Sequence, residues 1–547
     1  MCDMQFDVKS IFPYGEIRDA QGEAIDFALD AFINQKKKFV IIEAGTGVGK
    51  SAIGVTLSRY MDMQPTLTPV GEEEPYKPGG YFLTTQKILQ EQYVKDFAKP
   101  AGKMCSIKSS SNYTCTFNGK TNCGEGQRLL KVAEKGSSQW KHCVFNCAYK
   151  NAKDDFLATP ESVTNFSYFL AETTYSGKLK PRNVLVVDEA HNVETELSKF
   201  IEIAVTERFA KSMKLQMPNI STQLQAIDWI RNVYTPKIRA HVKHVEGMLS
   251  KYTNLREKLQ EFAKLAKQFD LLDKHACKIQ RFLDVYDSDN WVFNMTAADG
   301  RSGRRLEFKP IDVAPFADDM VFKHGKHVIM MSATILDRDA FCTLLGIPRE
   351  HVAFISIPSP FPVEHRPILA FPIGKMSAKA IDDTLPKLAE AVKSIMEQHK
   401  DEKGIIHCHT YKIANYLKRN VRSKRLLIHN SENREAMLNK HITSKVPTVL
   451  LSPSMTEGID LYDELGRFQV ICKVPYPYLG DKLVKKRMNK WRWWYPLQTA
   501  KSIVQAVGRS VRSMDDHAVT YILDSDWDFF YEKNKVFFPD GFSDCLK

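Results

Sequence analysis

Three short apolar runs in the first part of the chain do not alternate with polar residues. They cover residues 38–43, 183–187 and 327–331 and are rich in β-branched side chains. A strand that is covered by helices on both faces needs apolar side chains at every position. The runs therefore predict buried parallel strands, and each is followed at once by polar or glycine residues that could carry chemistry.

The later part of the chain alternates strand signals with helical stretches. Candidate strands cover residues 404–407, 448–451, 470–474 and 519–523. Such alternation is typical of an α/β domain with a parallel sheet. We expect the seam between the two halves within residues 346–361, because the segment 356–362 (SIPSPFP) cannot be helical.

Two stretches of the first half depart from this pattern. Residues 103–155 are rich in Cys, Ser, Asn, Gly and Lys, which is typical of a small inserted domain, and residues 220–286 carry apolar positions at helical spacing. The predicted division is a first α/β domain formed by 1–102, 156–200 and 306–345, a cysteine-rich insertion at 103–155, a mainly helical insertion at 201–305, and a second α/β domain at 346–547.

Length and composition agree with two large folded domains. A chain of 547 residues is too long for one hydrophobic core, since single cores stop growing at about 250–300 residues. The hydrophobic fraction of 43% and charged fraction of 26% are those of an ordinary globular protein. The sequence shows neither a signal peptide nor an apolar stretch of about 18 residues, so we expect neither secretion nor membrane insertion.

The cysteine count and the net charge indicate the cellular compartment and the kind of binding partner. Eleven cysteines, an odd number, predict a reducing compartment, cytoplasmic or nuclear, in which thiols stay free or bind metal. The formal net charge of +12 suits a polyanion such as nucleic acid. A solvated basic surface explains that charge equally well.

A glycine-rich motif follows the first predicted strand. It consists of Ala44, Gly45, Thr46, Gly47, Val48, Gly49, Lys50 and Ser51. Its backbone N–H groups could converge on the phosphates of ATP at a helix N-terminus, Lys50 could reach the β and γ phosphates, and Ser51 could bind Mg²⁺. The alternative is a chance glycine-rich turn.

Two further polar groups complete a predicted hydrolysis site. Asp188 could bind Mg²⁺, and Glu189 could orient or deprotonate the attacking water. Gln505, Arg509 and Arg512 belong to a predicted helix that starts near residue 500, and its two arginines, three apart on one face, could reach a γ-phosphate from another domain. The alternatives are acids that cap a helix and arginines in surface ion pairs.

The ordered motifs resemble those of superfamily 2 helicases of the XPD and DinG type over nearly the whole chain. The set is completed by Ser332-Ala333-Thr334 and Glu457-Gly458-Ile459-Asp460. The resemblance implies two RecA-like domains with an iron-sulfur insertion and an arch-like helical insertion. It also implies a monomeric ATP-dependent DNA helicase that moves 5′ to 3′ on single-stranded and forked DNA, with replication or repair proteins as partners. A translocase or nucleoprotein remodeller without unwinding activity is the alternative.

The resemblance further implies roles for individual residues. Gln21, beside Arg18, would contact adenine, while Thr85 and Gln86 would open a DNA-contacting motif. In the same way Ser332 and Thr334 would link the state of ATP to domain movement, and Glu457, Gly458 and Asp460 would line the cleft from the second domain.

Four cysteines form the densest cysteine group of the chain. Cys115, Cys123, Cys143 and Cys147 are separated by seven, nineteen and three residues within the first insertion. Their flanks resemble those of the family's iron-sulfur ligands, which implies a 4Fe-4S cluster bound by four thiolates. Structural zinc and unliganded buried thiols are the alternatives, and Cys105 is expected to be a spare thiol.

A basic and aromatic stretch covers residues 482–495. It interleaves lysines and arginines with tryptophans, as in a path where cations neutralise phosphates and rings stack on bases. Burial of the tryptophans explains the composition equally well.

Overall fold

The computed structural model describes residues 7–45, 47–64, 75–98, 104–117, 119, 122–130, 134–252, 259–299, 303–430, 433–453 and 461–547. The strands are β1 Phe39–Ala44, β2 Lys77–Thr84, β3 Met104–Ser106, β4 Glu161–Asn165, β5 Arg182–Asp188, β6 Ile203–Thr206, β7 Trp291–Asp299, β8 Gly303–Pro310, β9 Gly325–Ser332, β10 Val352–Ile357, β11 Ile368–Gly374, β12 Gly404–His407, β13 Leu426–Ile428, β14 Val449–Ser452, β15 Phe468–Ile471 and β16 Val519–Asp524. The α-helices are α1 Val8–Ile11, α2 Asp19–Ile33, α3 Lys50–Met63, α4 Lys87–Phe97, α5 Cys123–Leu130, α6 Ser138–Phe145, α7 Ala148–Ala158, α8 Phe166–Ala171, α9 Val193–Ile201, α10 Glu207–Ser212, α11 Gln223–Trp229, α12 Thr235–Tyr252, α13 Leu259–Val285, α14 Ala314–Met320, α15 Arg338–Leu345, α16 Ile381–Gln398, α17 Tyr411–Val421, α18 Arg434–Thr443, α19 Lys482–Lys490, α20 Trp494–Val507 and α21 Trp527–Asn534.

The first α/β domain is built on a seven-stranded parallel sheet of order β10-β1-β9-β5-β2-β4-β3. Every residue of β1 and β5 is buried, in agreement with the continuous apolar runs. Val40 and Ile42 pack in the core layer of α2 and α3, whereas Phe39 and Ile41 face the layer of α9 and α15. Helices cover both faces, and the carboxyl ends of the neighbouring strands β1, β9 and β5 meet at one edge.

The second α/β domain has a six-stranded parallel sheet of order β11-β16-β15-β12-β14-β13. Strands are present at all four expected positions. β15 is shifted relative to the predicted run 470–474: it begins at Phe468 and ends at Ile471, and residues 472–474 lie outside the sheet. The prediction of two parallel α/β domains is confirmed.

The seam between the domains lies at the late end of the expected range 346–361, so the first domain extends beyond the boundary placed at 345/346. β10 pairs in parallel with β1, so the first domain extends through Ile357. Gly346 ends α15 in a left-handed turn with φ of 63°. A glycine that ends a helix is a common signal for a break in the sequence, but here the first domain continues into β10. The proline-rich segment that follows β10 is the actual crossing into the second domain.

The first insertion lies between α4 and β4. Its opening strand β3 pairs with β4 at the edge of the large sheet, and α5, α6 and α7 follow. Tyr113 and Tyr149 stack edge to face at 5.6 Å beside this helical part, and the Tyr149 hydroxyl lies 3.1 Å from that of Tyr168 on α8. Aromatic contacts therefore tie the insertion to the first domain.

The second insertion combines the expected helices with a sheet that was not predicted. Its long helices α12 and α13 pack against each other, and the three-stranded antiparallel sheet β6-β8-β7 closes it at Pro310 instead of at residue 305. In β8, buried Leu306 and Phe308 alternate with less buried Glu307 and Lys309, the two-residue period of a half-buried strand. α13 also contacts α5, so the two insertions touch. None of the described helices combines the length and apolar character needed to cross a bilayer.

Candidate active site

One cleft of about 1190 Å³ lies between the two domains and collects the predicted site residues. Its lining includes Gln21, Gly45, Gly47, Gly49, Lys50, Ser51, Asp188, Glu189, Gln505, Arg509 and Arg512. Ala44 and Val48 are buried in the core beneath the loop. The cleft thus joins the carboxyl edge of the first sheet to the end of α20 in the second domain.

The glycine-rich loop is shaped by two left-handed glycines and by close neighbours. Gly47 and Gly49 have φ of 85° and 89°. A Cβ on Gly47 would come 2.2 Å from Cζ of Phe361, a residue of the interdomain crossing, and a Cβ on Gly49 would come 2.4 Å from Nε2 of Gln21. Larger residues are excluded at both positions, and the loop leads directly into α3 at Lys50.

Lys50 and Gln21 are both engaged with the loop backbone. Lys50 Nζ donates to Ala44 O over 3.1 Å. Gln21 Nε2 donates to Val48 O over 2.9 Å, and the nearby Arg18 donates from Nη1 to Gly47 O over 2.8 Å. Gln21 therefore supports the phosphate loop, and its implied contact with adenine stays a prediction.

Two acids occupy the end of β5 in unequal environments. Asp188 accepts from Glu189 N at Oδ1 and from the Tyr93 hydroxyl at Oδ2, both over 2.9 Å. Burial, followed by the Glu189 charge, raises the pKa of Asp188. Burial opposes ionisation of Glu189 too, but the hydrogen bond from His191 and the positive charges nearby outweigh it and lower its pKa. The Glu189 carboxylate is thus kept ionised, as a group that orients or deprotonates water must be.

The oxygen donors at the base of the cleft fit Mg²⁺. The Ser51 hydroxyl and the Asp188 carboxylate both line the cleft. Hard oxygen ligands of this type, completed by phosphate and water, are those that Mg²⁺ prefers. Burial of Asp188 beside a second acid also leaves negative charge that a divalent cation would compensate.

A chain of hydrogen bonds leads from Glu189 across the cleft to the second domain. His191 Nδ1 lies 3.3 Å from Glu189 Oε2 and 2.8 Å from Ser332 Oγ. Ser332 Oγ accepts from Thr334 N over 3.0 Å, and Thr334 Oγ1 accepts from Gln505 Nε2 over 3.3 Å. Glu189, which is predicted to orient the attacking water, is therefore connected to α20 through the residues predicted to link ATP state to domain movement.

The arginines reach the cleft from a loop, so their predicted place on a helix is wrong. α20 begins at Trp494 and ends at Val507, and Gly508 follows at its C-cap, which places Arg509 and Arg512 beyond the helix. Both arginines line the cleft, as Lys50 does, and Arg509 is among the charges that lower the pKa of Glu189. Buried Asp516 holds this loop by accepting from Arg512 N over 3.0 Å.

Some predicted residues are not tested by this geometry. Thr46, Glu457, Gly458 and Asp460 lie outside the described residues. Thr85 and Gln86 follow β2 and line the cleft, and their contact with DNA stays a prediction.

The four predicted cluster cysteines lie together in the first insertion. Cys115, Cys123, Cys143 and Cys147 are 2–7% exposed and line one small cavity. Burial, followed by the other three thiols, raises the pKa of Cys143. Four buried thiols that disfavour one another's ionisation fit a shared metal group, which compensates thiolate charge. Cys105 stands apart on β3.

The basic stretch 482–495 is largely an interdomain contact. Arg487 is buried, pairs with Glu194 over 2.6 Å and donates from Nε to Ile311 O over 2.9 Å. Lys490 pairs with Asp312 over 2.6 Å, and Trp494 is 6% exposed. Arg487 and Lys490 hold α19 against the first domain and the second insertion, and burial of Arg487 and Trp494 agrees with the alternative of a structural role, so contact of this stretch with nucleic acid stays a prediction.

Comparison with known proteins agrees with this architecture. Residues 392–529 match the family described as helicase C-terminal domain, and residues 14–218 match that described as type III restriction enzyme, res subunit. The chain is 20% identical to the probable ATP-dependent helicase MJ0942 of Methanocaldococcus jannaschii, with 98% of this chain and 96% of that protein covered. It is 22% identical to the ATP-dependent DNA helicase YoaA of Haemophilus influenzae, with 90% and 88% covered.

Solved structures show the same fold. A structure titled XPD helicase has a TM-score of 0.63 at 16% identity, covering 96% of this chain and 98% of that one. The Xpd4 structure of S. tokodaii has a TM-score of 0.58 at 14% identity, with 97% and 99% covered. With two parallel α/β domains around one cleft, a helicase C-terminal domain match and near full-length helicase relatives, the chain is an ATP-dependent helicase that is similar to the XPD and DinG types.

Proposed function

We propose that the protein is a DNA helicase that moves 5′ to 3′ along single-stranded DNA and uses ATP hydrolysis in the interdomain cleft to separate strands. The observation that carries the proposal is that a single cleft is lined by Lys50 of one domain and by Arg509 and Arg512 of the other. Hydrolysis with groups from two domains depends on how closely those domains approach. Both halves come from one chain, so a monomer suffices.

The residues divide the work of hydrolysis between them. Lys50 exchanges its bond with Ala44 O for the β and γ phosphates of ATP, and the N-terminus of α3 supports the same phosphates. The ionised Glu189 orients the attacking water and accepts its proton. Arg509 and Arg512 stabilise the negative charge that spreads over the departing phosphoryl group. Mg²⁺, held by Ser51 and Asp188, would supply positive charge beside the phosphates.

Coupling to movement follows from the hydrogen-bond chain. Gln505 and Lys501 both lie on α20, and Lys501 Nζ donates to the backbone oxygen of His191 over 2.9 Å. A change at the γ-phosphate alters the contacts of Glu189 and of the arginine loop together. The second domain then rotates relative to the first, and repetition of this movement advances the protein.

The proposal of DNA as the track rests on relatives and charge. YoaA is named an ATP-dependent DNA helicase, and the net charge of +12 favours a polyanion. Contact between α5 and α13 bridges the two insertions. A single strand that passed beneath this bridge would be enclosed while the opposite strand stayed outside, which is how we propose the duplex is separated. The 5′ to 3′ direction comes from the family resemblance.

We propose that the four buried cysteines hold a 4Fe-4S cluster. Among the described residues, no three His, Cys, Asp or Glu side chains are gathered closely enough to hold one metal ion. A single zinc ion needs all its thiolates at about 2.3 Å, whereas a cluster is larger and binds one thiolate at each iron. The four buried thiols around one cavity support a shared metal group, the family resemblance favours a cluster over zinc, and the bound cluster would hold this small insertion together.

Replacing Cys115 with serine is expected to remove the brown colour and most of the iron of anaerobically purified protein, because one of four thiolate ligands is lost. ATP binding should be kept, since the cysteines lie outside the cleft. Cys105→Ser is the matched control and should retain colour and iron. Full iron content in Cys115→Ser, or zinc in place of iron in the native protein, would contradict the cluster assignment.

Strand displacement on tailed duplexes tests the helicase proposal. Duplex DNA with a 5′ single-stranded tail should be unwound in the presence of ATP, whereas a 3′-tailed duplex should not. ATPase activity stimulated by single-stranded DNA without any unwinding would favour the alternative, a translocase or nucleoprotein remodeller. Unwinding only from a 3′ tail would overturn the direction.

A further inference from the structure

A tyrosine behind the cleft contacts both residues that are predicted to bind Mg²⁺. The hydroxyl of Tyr93 donates to Asp188 Oδ2 over 2.9 Å and lies beside the side chain of Ser51. Tyr93 lies on α4, which contributes no predicted nucleotide ligand, and is 2% exposed. Its ring packs against Phe82 and Phe97 at centroid distances of 5.8 and 5.5 Å. The hydroxyl is therefore presented to the two ligands by a ring that is fixed on its other sides.

The contacts of Asp188 leave its carboxylate oriented before a cation arrives. One oxygen accepts from Tyr93 and the other from Glu189 N. Each carboxylate oxygen can accept a second partner, so both can still face a cation or its bound water. Groups that hydrogen-bond to ligating side chains in this way fix their direction and tune the affinity for metal.

We propose that Tyr93 is a positioning residue for the divalent cation, and that its hydroxyl holds Ser51 and Asp188 at the separation that a magnesium nucleotide requires. The inference rests on the proposed function, because it presupposes that the cleft binds a magnesium nucleotide. The hydroxyl contacts neither the cation nor the phosphates. It affects cation binding only by positioning the two ligating side chains.

Tyr81 provides a matched comparison within the same domain. It lies on β2, is 1% exposed, and its hydroxyl donates to Lys180 O over 2.9 Å. It does not line the cleft. Tyr81→Phe and Tyr93→Phe each remove one buried hydroxyl and keep the ring, so a general loss of stability should affect the two variants alike.

The test is calorimetric titration of the full-length protein with ADP at graded Mg²⁺ concentrations and in EDTA. In Tyr93→Phe, the Mg²⁺ concentration that gives half of the magnesium-dependent gain in ADP affinity should rise by about tenfold, as for loss of a group that orients metal ligands. ADP affinity in EDTA should be unchanged, and Tyr81→Phe should match the native protein in both conditions. The ATPase rate of Tyr93→Phe should recover at high Mg²⁺.

The remaining outcomes decide against the proposal. An unchanged Mg²⁺ requirement in Tyr93→Phe would show that the hydroxyl does not position the ligands. An equal loss of ADP affinity with and without Mg²⁺ would show a general structural role. If the native protein gained no ADP affinity from Mg²⁺, the assignment of the nucleotide site itself would be wrong. The titration of the native protein alone separates this outcome from a failure of the Tyr93 proposal.

Discussion

Replacing Lys50 with alanine is expected to lower the rate of ATP hydrolysis by about 10²- to 10³-fold, the usual cost of losing one preorganised electrostatic group at a reacting centre. The Lys50 ammonium is the cation of the phosphate loop, and Lys50 lines the same cleft as the arginine loop. Its hydrogen bonds go to the carbonyl oxygens of Ala44 and Gly45, and Glu189 keeps His191 and Arg509 as positive or hydrogen-bonding neighbours when the ammonium is removed. The fold should therefore be kept.

The rate is measured at saturating single-stranded DNA, with circular dichroism as the check on folding. Lys95→Ala is the control, because Lys95 is an exposed lysine of α4 outside the cleft. Normal turnover in Lys50→Ala would mean that the phosphates bind elsewhere, and the assignment of residues 44–51 would then be abandoned.

Replacing Arg509 with alanine is expected to lower kcat by about 10³-fold, the lower end of the range for an arginine that stabilises phosphoryl transfer from across a cleft. Arg509 acts on charge that develops as the γ-phosphate departs, so the affinity for MgATP should change little. Its influence on Glu189 adds to the effect, because loss of the guanidinium removes one of the charges that lower the pKa of that acid.

A separation of kcat from nucleotide affinity distinguishes this role from plain binding. Stopped-flow binding of a fluorescent ATP analogue gives the affinity, and steady-state hydrolysis gives kcat. Arg419→Ala, which removes an exposed arginine on α17, should leave both unchanged. If Arg509→Ala weakened binding and left kcat intact, Arg509 would be a ground-state ligand, and hydrolysis would not depend on approach of the second domain.

The parts of the site that could be predicted are those encoded within short segments. A continuous apolar run followed by a glycine-rich turn and a helix fixes the place of Lys50, because the strand, the turn and the helix adjoin in sequence. The positions of Asp188 and Glu189 are predictable for the same reason, because these acids come directly at the end of the apolar strand β5. Parallel pairing of β1, β9 and β5 then brings these ends together.

The parts that could not be predicted depend on distant partners. Tyr93 occupies a buried position of an amphipathic helix and looks like core, and only folding brings it to Asp188, 95 residues away. Arg487 looks like part of a basic surface until the fold pairs it with Glu194. The helix-favouring residues before Gly508 suggested that α20 would carry the arginines, whereas its end at Val507 places them in a loop held by Asp516.

A structure of the protein with ADP, aluminium fluoride and Mg²⁺ would show whether both domains act on the nucleotide, because this combination mimics the phosphoryl group during its transfer. We expect the guanidinium groups of Arg509 and Arg512 and the ammonium of Lys50 all to lie about 3 Å from the fluoroaluminate or the β-phosphate. Arginines that point away from the nucleotide in this closed complex would contradict a motor driven by hydrolysis between the two domains.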